Sequence, residues 1–142
     1  MKTRIIASTL LFALLNCDAI ENRHWTPEAT VDSSRIEQAI TQLQQTAPEA
    51  LRQPVILAYR AALFLAASPE QGTSGAQIEQ ITAQFDGEQP PFKKAIMTVQ
   101  FMGYADDSLH GEKFTLTLVP AADGTWQIPQ VIRSAYGRGD HR

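Results

Sequence analysis

Glu88-Gln89-Pro90-Pro91 divides the chain between two periodicities. Beyond it, apolar residues recur at every second position. Met97, Val99 and Phe101 alternate in one segment, and Phe114, Leu116 and Leu118 alternate in the next, with Thr115 and Thr117 on the other face. A period of two sets one face of a pleated strand against a core and leaves the other outside. Trp126 and Ile128 begin a third segment. Asp123-Gly124 joins the last two as a hairpin turn, in which Gly supplies the positive φ. The first hairpin has a longer tip, Tyr104 to Glu112. The expectation downstream of the prolines is a three-stranded antiparallel meander.

Upstream, the spacing is helical. Ser34 and Glu37 stand at capping-box distance, and Ile36, Ala39, Ile40 and Leu43 recur at i, i+3, i+4 and i+7, which predicts a helix ending near Ala47. Pro54 suits the first turn of a second helix, where its missing N–H is no loss. That helix, Val55 to Ala67, is strongly apolar and is predicted to be the most buried. At roughly 13 residues it is too short to cross a bilayer. Its polar exceptions, Tyr59 and Arg60, read as stems buried with polar tips at the edge, or as the lining of a pocket between helices and sheet. A loop is expected over 68–75, which contains Pro69, Gly72 and Gly75. Ser74 and Gln77 repeat the capping-box spacing, and Ile78, Ile81 and Phe85 then predict a third helix stopped by Gly87. The fold class expected is α+β, with about three N-terminal helices covering the apolar face of a three-stranded antiparallel meander.

The N-terminus carries an export signature. Met1-Lys2-Thr3-Arg4 is a short basic segment, and Ile5 to Leu15 is apolar except for Ser8 and Thr9. Two processing patterns follow it. Leu14-Leu15-Asn16-Cys17 resembles a bacterial lipobox, although Asn16 stands where a small residue is usual. Cleavage there leaves Cys17 as a lipid-bearing N-terminus. Cys17-Asp18-Ala19 is instead an A-x-A-like site for ordinary cleavage before Ile20. The expected organisation is a signal peptide over 1–19, a polar tether over 20–33 and a single domain over 34–142. Asp18 directly after Cys17 resembles the signal that retains enteric bacterial lipoproteins in the inner membrane.

The sequence has 142 residues with one Cys and a formal net charge of −3, and removal of 1–19 makes that about −4. An acidic balance without a concentrated basic face argues against nucleic acid as a partner. With Cys17 acylated or discarded, the domain has no thiol for a disulfide or a zinc–thiolate site. The three histidines, His24, His110 and His141, share no i, i+4 helical face, so no metal is indicated. No phosphate-cradling or dinucleotide motif is present, and no cofactor is expected. The candidate binding loop is the first hairpin tip, Asp106, Asp107, His110 and Glu112, set against a plain solvated turn, which the same residue types favour. Arg138 and Arg142 form a candidate anion-binding or docking tail. Trp25 and Tyr136 read as aromatics that pack a terminus onto the domain, with a partner patch as the alternative.

Asp123-Gly124-Thr125-Trp126 followed by Gly137-Arg138-Gly139 resembles the C-terminal end of small exported proteobacterial proteins of unknown function, in which a DG-x-W turn leads into a GRG tail. Cysteines flank that tail in those proteins, whereas Tyr136 and Asp140 stand nearby here. The order of helices before a curved meander is also similar to the cystatin and NTF2-like architectures of many small lipoproteins, a likeness of fold that implies no activity. The functional expectation is an exported or lipid-anchored bacterial envelope protein, a non-enzymatic binding or accessory module for a protein or small ligand. It touches the membrane only through Cys17. The alternatives are an inhibitor or immunity-type protein that blocks an enzyme with the hairpin tip, and a hydrolase using Asp106, Asp107 and His110.

Overall fold

The structure is a computed structural model, and it describes residues 23–66, 78–104 and 109–138. Two short strands, β1 (Arg23–Trp25) and β2 (Ala29–Thr30), come first. Helix α1 (Ser33–Thr46), a 3-10 turn (Pro48–Arg52) and helix α2 (Pro54–Leu65) follow. Four longer strands complete the chain: β3 (Ile78–Phe85), β4 (Ala95–Met102), β5 (Leu109–Pro120) and β6 (Trp126–Arg138). The strands make one six-stranded sheet in the order β1-β6-β5-β4-β3, with β2 also pairing with β6. Every pairing is antiparallel. The α+β class therefore stands, as helices packed on an antiparallel curled sheet. Register shifts in β5–β6 at Leu109/Gly111 and Thr117/Val119 introduce local bends.

The expected third helix is replaced by a strand. Ile78 to Phe85 pairs residue by residue with β4, from Ile78↔Met102 to Phe85↔Ala95. The spacing Ile78, Ile81, Phe85 fits a helical stripe, but Ile81, Ala83 and Phe85 also alternate, and long-range pairing to β4 decides between the two. The change of period thus falls before Ile78, and Glu88–Pro91 lies within a β3–β4 connection. There Asp86 accepts the Lys93 N–H at 3.1 and 3.2 Å, and the Phe85 and Phe92 rings meet at 4.6 Å. The expected tether also differs, because 23–30 is part of the sheet. Thr26 and Ala135 exchange backbone and hydroxyl hydrogen bonds, Thr26 N to Ala135 O at 2.8 Å and Ala135 N to Thr26 Oγ1 at 2.9 Å. The signal peptide and the loop with its Ser74/Gln77 spacing lie outside the described residues.

The N-cap of α1 is Asp32, two residues before the Ser34 of the capping-box spacing, and it accepts the Ser34 N–H at 3.3 Å. Ile36, Ala39 and Leu43 form its buried stripe, as the spacing predicts. α2 buries Leu57, Ala58, Ala61, Ala62 and Leu65. The three alanines let its backbone approach the sheet closely. There it meets Met97, Val99 and Phe101 of β4 and Phe114, Leu116 and Leu118 of β5, all 0% exposed. Each such large side chain contributes roughly 1.5–3 kcal/mol when fully buried. The 3-10 turn is clipped to the far hairpin by Arg52, whose Nη1 donates to the Asp123 carbonyl at 3.2 Å. That hairpin turns at Gly124 with φ +89, and the Asp123 carboxylate accepts the Thr125 N–H at 3.0 Å and hydroxyl at 2.6 Å. Those bonds hold the Asp123 carboxyl below its ordinary range, the hydroxyl contributing most.

Candidate functional site

The inward face of β5 runs Leu118, Leu116, Phe114 and then Glu112, which is 0% exposed. Strand alternation, which turns every second side chain to one face, puts this carboxylate beneath the helical layer. On β6 the same alternation turns Val131 and Arg133 inward, with Arg133 opposite Phe114 and Ala135 opposite Glu112. Arg133 thus lies diagonal to Glu112, within reach of a long side chain. Its Nε and Nη2 both donate to Glu112 Oε2. Tyr104 donates its hydroxyl to Glu112 Oε1 at 3.0 Å. Burial raises the Tyr104 phenol above its ordinary value, and the Glu112 charge and hydrogen bond add to the rise. A second Tyr–Glu pair lies nearby on the same face, Tyr59 of α2 donating to Glu79 of β3 at 3.0 Å. The Tyr59 ring stands 6.2 Å from Phe101, and burial, then Glu79, raises its phenol too.

This arrangement relocates one of the expected loop residues. Glu112 is a strand residue turned into the core, not part of an exposed tip. His110 sits at the start of β5 and has a buried Nε2 without a hydrogen-bond partner among the described residues. Asp106 and Asp107 lie outside the described residues, as do Cys17 and Arg142. Arg138 ends β6 opposite Arg23, and its side chain is not described. Among the described residues, no three of His, Cys, Asp and Glu gather as a metal-binding set. No helix among them is long and apolar enough to cross a membrane. Trp25 and Tyr136 are register partners with rings 5.1 Å apart, and Lys113 Nζ lies 4.9 Å from the Trp25 ring centre. Here the two aromatics pack the N-terminal strand onto the domain, and a cation over the indole face adds to the contact.

A groove that no spacing in the chain announces lies between α1 and α2. It measures about 560 Å³, and its walls include Arg35, Gln38, Gln42 and Leu43 from α1 and Arg60, Leu63 and Phe64 from α2. Arg60 therefore lines a groove between the helices, in addition to a smaller apolar hollow with Val55, Ile56 and Ile81. Among the described residues, no carboxylate lines the larger groove. Comparisons with protein-family models, with curated proteins and with solved structures find no match to this chain.

Proposed function

We propose that this chain is a non-enzymatic binding or accessory module of the bacterial envelope. It is exported by 1–19, and is either lipid-anchored at Cys17 or released by cleavage after Ala19. The observation that carries the binding reading is the groove between α1 and α2, with a volume of about 560 Å³. That size lies within the range of small-molecule sites. The basic start, apolar run and Cys17 support the compartment. Helices layered on a curled antiparallel sheet support kinship with the cystatin or NTF2-like architecture as a proposal about fold alone. The inhibitor and hydrolase readings both rest on Asp106 and Asp107. At that end of the sheet Glu112 is held in an ion pair with Arg133.

Intact-mass and native mass spectrometry of the protein recovered from envelope fractions test this reading. A lipid-bearing Cys17 or a start at Ile20, together with a retained ligand or partner, supports it. An unprocessed chain in the cytosolic fraction sinks the export proposal, and recovery with nothing bound sinks the binding proposal.

A further inference from the structure

We infer that the groove between α1 and α2 takes a small carboxylate-bearing amphiphile, with its apolar body on Leu43, Leu63 and Phe64 and its anionic head at the Arg35 and Arg60 guanidiniums. The inference rests on the binding-module reading and names the ligand class for it.

The charge distribution points to an anion. Arg60 is the single charged residue of α2, set in an otherwise apolar helix with Tyr59. Arg35 lies in the first turn of α1, which has no acidic residue. A cation in a first turn opposes the helix dipole, so that position does not serve the helix. An anion beside it relieves the repulsion. Both side chains are exposed, and among the described residues neither makes an ion pair. Two guanidiniums, one on each helix, with no carboxylate among the described residues of the lining, make a positive groove on a chain of net charge −3. Guanidinium geometry matches a carboxylate through paired N–H donors.

The remaining walls indicate an apolar body of limited size. Leu43 is buried, and Leu63 and Phe64 are partly buried. Gln38 and Gln42 supply amides at the sides. From α2 only the segment from Arg60 to Ala66 contributes, roughly 9 Å of helix rise. The α1 wall runs from Arg35 to Thr46, roughly 16 Å of helix rise, so the groove is long on one side only and suits one small extended amphiphile.

Isothermal titration calorimetry with dodecanoate, kept below its micelle concentration, and with dodecanol separates head-group from chain recognition. Dodecanoate is expected to bind one to one, about tenfold or more tighter than the alcohol, because a hydrogen bond to a charged group is worth roughly a factor of ten or more. Arg35→Gln and Arg60→Gln are each expected to weaken dodecanoate by about tenfold and leave dodecanol unchanged. Lys113→Gln, on the Trp25 side of the molecule, is expected to change neither. Thermal melts verify that the variants fold. Equal affinity for acid and alcohol, no dodecanoate binding, or indifference to both arginine substitutions overturns the proposal. A ligand or partner that the double variant still carries from envelope fractions also overturns the groove assignment while the binding-module reading stands.

Discussion

Arg133→Ala is the most direct test of how the inner polar cluster is built. The variant leaves the Glu112 carboxylate in place, 0% exposed, and removes the guanidinium that neutralises it. Breaking a buried ion pair by truncating one partner typically costs about 3–5 kcal/mol, since the other charge stays desolvated. The Arg133 side chain is 38% exposed, so water already screens the pair on one side and reaches the space the truncation opens. That discount places the expected loss at about 2–3 kcal/mol. For a domain of this size it lowers Tm by roughly 6–15 °C. Urea denaturation with calorimetry measures both quantities. The diagnostic comparison adds Glu112→Gln and the double variant. If the pair acts as described, the double variant is less destabilised than the sum of the singles, with a coupling of about 1–3 kcal/mol. A loss below about 0.5 kcal/mol for Arg133→Ala, or a cycle without coupling, refutes the reasoning, because surface-type pairs behave that way.

Tyr104→Phe removes one hydrogen bond to a buried carboxylate and is expected to cost about 1–3 kcal/mol near neutral pH in a denaturant titration. The folded-state pKa of Tyr104 lies above its ordinary 10.0, so its stabilising contribution is complete below that pH and is lost as pH rises through the folded value. The wild-type stability should therefore fall above about pH 10, and the Phe variant should show a shallower fall, with Tyr59 supplying what remains. Gly111→Ala places a Cβ against the Phe101 carbonyl oxygen and the Met102 sulfur in the β4–β5 ladder. Because a backbone atom is involved, relief requires moving the strand, and a loss of about 2 kcal/mol or more is expected in thermal melts. Asp32→Ala removes the α1 cap and is expected to cost about 1 kcal/mol, with Asp32→Asn nearly neutral by the same measurement.

Much of the core was legible because its elements are long and periodic. The alternation of Met97, Val99 and Phe101 and of Phe114, Leu116 and Leu118 gave β4 and β5, and the stripe from Ile36 to Leu43 gave α1. β3 was misread because only three of its positions, Ile81, Ala83 and Phe85, carry the period of two. Ile78 on the other face completes a false helical spacing. β1 and β2, at three and two residues, are too short to show any period. Their identity comes from pairing with β6. The company of Asp106 and Asp107 points Glu112 to the hairpin tip. Yet it stands two residues before Phe114, and carrying the alternation back by one step turns it inward. Counting on from Trp126 and Ile128 puts Ile132 on the core face and Arg133 on the other, and it is the register shift at Thr117/Val119 that turns Val131 and Arg133 inward. The charges of Glu112 and Arg133 therefore signal an ion pair only once the pairing of β5 with β6 is known. The groove between α1 and α2 has no signal in the spacing either, because Arg35 and Arg60 line one groove only when the two helices pack.

The pairing of β1 with β6 also sets the length of a leash. A tether running from Cys17 to Ser33 spans at most roughly 55 Å of extended chain. With Arg23 paired opposite Arg138, six residue steps separate Cys17 from the sheet, at most roughly 20 Å of extended chain. If Cys17 is the lipid anchor proposed above, the domain cannot range through the periplasm. It stays within about its own width of the bilayer, with the β1 margin of the sheet the part nearest the lipid surface.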